Sequence, residues 1–199
     1  MISLFVLLAA AAASEGHAYR PAREAAPARA AVTAPDETLS DEAVRALASS
    51  YLGRIDVPVT AAEWRALGPR AVPLLEEVAR SRGALPSRRA AAMGGLAAIG
   101  GARAGEILVE AARSESEPFA VRAAAIHGAS RALDSRRLAR ELGPVLERAK
   151  DPAARVAAAE ALALRAPRSA CAAVRAQADR EGEGRARFER ALGRCESKR

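Results

Sequence analysis

LLEEVARSRGALPSRRAAAMGGLAAIG (74–100) reads as two short helices joined by a turn. Val72, Leu75 and Val78/Ala79 recur at helical spacing in the first. Ala92, Met93, Leu96 and Ile99 do so in the second. Pro86 stands where a helix can begin, because proline in the first turn gives up no N–H that the helix needs. The pattern then returns. ILVEAAR (107–113) and VLERAK (145–150) share Glu-x-Ala-Arg/Lys with LLEEVAR (74–80). VRAAAIHGAS (121–130) and RVAAAEALA (155–163) echo RRAAAMGGLA (88–97). Arg80 and Arg113 stand 33 residues apart, and Arg89, Arg122 and Arg155 follow at the same interval. A period of this length holding two helical patterns predicts a helical solenoid.

Composition agrees. Apolar residues make up 50% of the 199, but aromatics only 3%, and much of the remainder is Ala. An Ala-rich core requires backbones to approach closely, which stacked short helices achieve. Ala, Gly and Glu are poor strand formers, and β-branched alternation is absent, so the expected class is all-α. Further helices are predicted at 40–52, opened by Ser40-Asp41-Glu42, and at 60–67, opened by Thr60 and carrying Trp64. The repeated helices fall at about 69–81, 86–99, 102–113, 118–133, 135–150 and 152–165. Pro118 and Pro152 take the place of Pro86 in the later units. Gly143-Pro144 repeats the Gly68-Pro69 punctuation and predicts a kink or split.

The LGPRAVPLLE run at 67–76, the Arg-led alanine runs at 89, 122 and 155, and the Ile99-Gly100-Gly101 turn resemble HEAT-repeat proteins. The resemblance is specifically to the short Ala/Arg-rich HEAT-like type first described in bilin-attachment lyases. The resemblance covers about 67–165, and armadillo-type repeats look similar at this level. It implies a right-handed α-solenoid of stacked antiparallel helix pairs and an interaction scaffold with a curved surface. It does not bring lyase chemistry, since repeats alone hold no catalytic residues.

The expected organisation is a signal peptide at 1–18, a disordered linker at 19–38 and a repeat domain at 39–199. The repeat units fall at about 68–100, 101–133 and 134–165, with a capping hairpin at 167–197. ISLFVLLAAAAA (2–13) is apolar but short for a bilayer, and Gly16-His17-Ala18 puts small residues at a cleavage site. Ala13-Ser14 is a second candidate cut. The region ahead of the apolar run lacks Lys and Arg, which leaves an uncleaved anchor or an N-terminal helix as the alternatives. Pro21, Pro27 and Pro35 interrupt the linker. The expected location is the periplasm or the outside of a bacterial cell, with no stable membrane insertion after cleavage.

The +7 charge comes from 31 basic residues interleaved with 24 acidic ones, and only Lys150 and Lys198 are lysines. Mixed signs on every face make a weak nucleic-acid signal, so no nucleic-acid partner is expected. The chain lacks a His-Glu-x-x-His pair, a phosphate loop and a nucleophile elbow. His127 is isolated, Glu115 and Glu117 lie in a linker without a partner acid, and Cys171 and Cys195 are too few for zinc. No catalytic residue, metal or cofactor is expected. The function expected is a non-enzymatic scaffold for an unidentified protein. The alternative is an accessory subunit of an enzyme such as a cofactor-attachment lyase.

Arg89, Arg122 and Arg155 occupy equivalent positions and align on one ridge. The expectation is a partner-binding row along the second helices. The competing reading is that each arginine bonds the end of a neighbouring helix or a carboxylate in the next repeat. Glu77/Arg80, Glu110/Arg113 and Glu147/Lys150 are expected as i, i+3 surface pairs. Finally, Cys171 and Cys195 lie 12 residues either side of position 183, inside the Glu181–Gly184 turn. Cys171, Val174 and Ala178 share one helical face, and Phe188, Leu192 and Cys195 share another. A disulfide stapling this hairpin is predicted, provided the compartment is oxidising.

Overall fold

The structure, a computed structural model, describes residues 39–54, 57–166 and 168–197. The signal and linker expected at 1–38 lie outside the described residues. Among the described residues every regular element is helical: α1 Asp41–Gly53, α2 Ala61–Leu67, α3 Val72–Arg80, α4 Pro86–Ile99, α5 Ala102–Arg113, α6 Phe119–Ala132, α7 Ser135–Arg148, α8 Pro152–Arg165, α9 Arg168–Arg180 and α10 Glu189–Glu196. Short 3-10 segments cover Pro69–Ala71 and Gly182–Phe188.

Local chemistry sets the helix starts. Ser40 Oγ accepts from the Ala43 N–H at 3.1 Å. Thr60 and Glu63 form a reciprocal capping box, with Glu63 Oε2 accepting from the Thr60 N–H at 2.7 Å and Thr60 Oγ1 from the Glu63 N–H at 3.2 Å. Pro86 and Pro152 are first residues of α4 and α8, while Pro118 precedes α6 as its cap. Asp134 and Asp151 cap α7 and α8 by accepting backbone N–H bonds at 2.9 Å. The α4–α5 turn needs its two glycines, because Gly100 and Gly101 take φ of 75° and 89°.

Two results differ from the sequence expectation. α7 continues through Pro144 as one helix. Proline there removes the bond to the carbonyl of Arg140, an exposed residue whose carbonyl water can take instead. The turn expected at 181–184 is longer, running as a 3-10 segment to Phe188.

Packing follows the repeat. α2, α4, α6, α8 and α10 pack in succession, and so do α3, α5, α7 and α9. Between the two rows α3 meets α4, α5 meets α6, α7 meets α8 and α9 meets α10. The core is a line of Leu75, Leu96, Ile107, Leu108, Ile126, Leu142 and Leu162 with alanines between them. Small residues let the helices close in. A Cβ on Gly128 of α6 would stand 2.7 Å from Leu108 Cδ2 and 3.2 Å from Ala97 Cβ. A Cβ on Gly95 of α4 would stand 3.0 Å from Leu75 and 3.1 Å from Trp64.

Candidate functional site

The three repeat arginines perform one task three times. Arg89 Nε donates to the Ala79 carbonyl at 2.8 Å, Arg122 Nε to the Ala112 carbonyl at 3.0 Å, and Arg155 Nη1 to the Ala149 carbonyl at 2.6 Å. Each alanine is the third residue of a Glu-x-Ala-Arg/Lys motif, at the C-terminal end of α3, α5 or α7. Those ends expose unbonded carbonyls and the negative end of the helix dipole, so a guanidinium there is doubly favourable.

Each guanidinium also meets a carboxylate. Arg89 Nη2 stands 2.6 Å from Glu117 Oε2, an ion pair rather than an aligned hydrogen bond. Arg122 Nη2 donates to Glu115 at 2.7 Å, and Arg155 Nε and Nη2 donate to Glu181 at 2.5 and 2.9 Å. The Arg122 hydrogen bond lowers the Glu115 pKa, and the Lys150 backbone N–H of the next unit adds to this. The Arg155 bond lowers that of Glu181, with help from Gln177.

These contacts correct the expected binding row. Arg89 is 4% exposed and Arg122 2%, so neither offers a face to a partner. Arg155 is engaged by Glu181 and two carbonyls. Arg89 and Arg155 clamp one helix pair to the next, and Arg122 ties the two helices of its own pair to the loop between them. Glu115 and Glu117, which looked idle in their linker, are the counter-ions.

The surface pairs are also rearranged. Glu77 binds Arg45 at 2.7 Å, Arg80 binds Glu110 at 2.5 Å and Arg113 binds Glu141 at 2.8 Å. Arg80 and Arg103 both contact Glu76, and the Arg103 bond leads in lowering the Glu76 pKa. The ladder therefore runs between α1, α3, α5 and α7 rather than along single helices. Long arginines reach the neighbouring helix as readily as the next turn.

An open groove of about 470 Å³ lies where α1, α2, α4 and α6 converge, on the row that starts with α2 and α4. Ala91, Gly94, Ala97 and Ala98 of α4 form its floor. Tyr51 and Trp64 form a wall, their rings edge-to-face at 5.3 Å and 87°. Arg54, Arg65 and Arg131 stand at the edges. Arg54 lies 4.6 Å over the Tyr51 ring and donates to Glu63 at 2.7 Å. Glu63 is pulled down from 4.5 to about 2, first by the Thr60 backbone N–H and then by Arg54. Arg65 turns its Nε to the Ala61 carbonyl, which leaves its two Nη groups available. Sequence reading missed the groove. No sequence signal singled it out, although Gly94 is a mid-helix glycine that costs about 1 kcal/mol relative to alanine. A Cβ on Gly94 would meet nothing within 4 Å.

A second groove of about 450 Å³ lies along α6 and α8, bordered by Phe119, Ala123, His127, Val156, Glu160 and Arg190. His127 is exposed there. At the C-terminal end Cys171 of α9 and Cys195 of α10 are joined by a disulfide, with Cα atoms 5.5 Å apart. Both cysteines are buried with Val174, Ala178, Phe188 and Ala191, while Leu192 is only partly covered. Among the described residues, no group of three or more His, Cys, Asp or Glu side chains is placed to hold a metal, and no helix is long and apolar enough to cross a membrane. No protein-family model, curated protein or solved structure matches this chain.

Proposed function

We propose that this chain is an exported, non-enzymatic interaction scaffold of the HEAT-like type. Its helix pairs stack as a right-handed solenoid behind a leader and linker in the first 38 residues. The observation that carries the reading is the row α2, α4, α6, α8, which leaves small residues outermost and holds two open grooves. Side chains as short as Ala91, Gly94, Ala123 and Ala153 give a partner access to the helix backbones. Arg89 and Arg155 keep neighbouring pairs in register, so the grooves are preformed and binding needs little reordering. The Cys171–Cys195 bond supports export, because such bonds persist in oxidising compartments.

The test is expression of the full chain with a C-terminal tag in a bacterial host, followed by fractionation and N-terminal sequencing. Export predicts a mature chain starting at Tyr19, and immobilised mature protein should retain a defined partner from envelope extract. A full-length cytoplasmic product ends the export reading. Failure to retain any envelope protein after chemical crosslinking ends the scaffold reading.

A further inference from the structure

The groove between α1, α2, α4 and α6 has features that the fold does not account for. Gly94 and Gly95 are adjacent in α4 and differ completely in surroundings. Gly95 is needed for packing, because a methyl there would press on Leu75 and Trp64 at 3.0 and 3.1 Å. Gly94 is not needed, because a methyl there would enter open space. Alanine at 94 would favour the helix and touch nothing. What a side chain at 94 would do is fill the groove floor between Ala91 and Ala98.

The lining is chemically one-sided. Its polar groups are the Tyr51 hydroxyl, the Trp64 indole N–H and the guanidiniums of Arg54, Arg65 and Arg131, with no carboxylate among the described lining residues. Arg131 has no hydrogen-bond or ion-pair partner among the described residues. Arginine beside an apolar floor holds a carboxylate strongly, because its planar fork bonds both oxygens and is weakly hydrated. The volume, about 470 Å³, lies within the range of roughly 300–1,000 Å³ typical of ligand pockets. A nucleic-acid strand is the weaker fit. Such strands stack bases on open aromatic faces, whereas Trp64 is only 4% exposed and Arg54 already covers Tyr51.

Building on the scaffold reading and naming its partner class, we infer that this groove docks an acidic protein segment. One apolar side chain of that segment sits over Gly94, and flanking carboxylates pair with Arg65 and Arg131. Arg54, held by Glu63 and Tyr51, fixes the aromatic wall.

Fluorescence anisotropy with the full chain tests this. The probes are a short labelled peptide with one leucine among aspartates and glutamates, the same peptide with alanine for leucine, its lysine-for-acid counterpart, and a single-stranded oligonucleotide. The leucine-acidic peptide should bind at least about tenfold more tightly than either peptide control. Gly94→Leu should weaken it by about tenfold or more without lowering the melting temperature, and Arg131→Glu should do the same. Equal binding of the leucine and alanine peptides, or of acidic and basic ones, overturns the inference. So does binding of the oligonucleotide alone. If Gly94→Leu lowers the melting temperature, Gly94→Ala supplies the folded comparison, and unchanged peptide affinity in Arg131→Glu then refutes the docking. A Gly94→Leu protein that still retains the wild-type envelope partner leaves the scaffold reading standing and removes this one.

Discussion

Two sets of arginine–glutamate pairs run along this molecule with nearly the same period, and they differ in burial. The arginines of the ladder Arg45–Glu77, Arg80–Glu110 and Arg113–Glu141 lie in solvent, 59%, 46% and 44% exposed. The clamps formed by Arg89, Arg122 and Arg155 lie inside, with the Arg122 side chain 3% exposed. An exposed pair exchanges one set of good hydrogen bonds, to water, for another, and its net value is about 0–1 kcal/mol. A buried guanidinium has no water to return to, so removing its partner, or removing it from its partner, leaves an orphan. The same chemistry is therefore decorative in one row and structural in the other.

The largest effect should come from a clamp. Arg89→Ala frees the Ala79 carbonyl and leaves the buried Glu117 Oε2 without its counter-ion, and we expect a loss of about 3 kcal/mol in chemical denaturation. A loss below about 0.5 kcal/mol would make the clamps no different from surface pairs. Acid should come next. The folded protein holds Glu63, Glu76, Glu115, Asp134 and Glu181 below their ordinary values. A lowered carboxylate stabilises the fold above its unfolded pKa and loses that contribution as pH falls through the folded value. For Glu63 the window runs from 4.5 to about 2. Melting temperature should be flat above pH 5.5, where these carboxylates are ionised in both states, and fall steadily below about 4.5. A midpoint independent of pH between 5 and 3 would sink this account.

The contrast extends to two glycines. Gly128→Ala forces a methyl to 2.7 Å from Leu108 and should cost about 1–3 kcal/mol. Gly94→Ala should raise stability by up to about 1 kcal/mol, since the helix gains and nothing is displaced. Opposite signs at these two sites, read from paired thermal melts, separate close packing from an open groove. The smallest effect should be Arg45→Ala, about 0.5 kcal/mol or less and reduced further by salt.

How much of this was legible in the sequence follows the range of the interactions. Helix limits were readable because their signals are local: Pro86 and Pro152 at first turns, Ser40 and Thr60 at caps, and Gly100-Gly101 between α4 and α5. The cysteine pairing was readable from the two apolar faces that carry Cys171 and Cys195, although the turn between them is longer than the symmetric one expected. The clamps were half readable. The period put Arg89, Arg122 and Arg155 in register, but burial depends on the neighbouring pair. Their acids sit in irregular segments at 115, 117 and 181, where no periodicity marks them. The groove was not readable, since Tyr51, Trp64, Gly94 and Arg131 come from four helices and meet only in the fold.

The disulfide has a mechanical consequence. The 24-residue separation between Cys171 and Cys195 is closed by a covalent bond, so that length stays hidden when the chain is pulled from its ends. Stretched in an optical trap, the oxidised protein should yield a contour shorter than the reduced one by roughly 80 Å, at about 3.4 Å per residue. α1 has no covalent tie and is held by packing and the exposed Arg45–Glu77 pair. Force should thus strip the molecule from its N-terminal end, and the last hairpin should give up its slack only to a reductant.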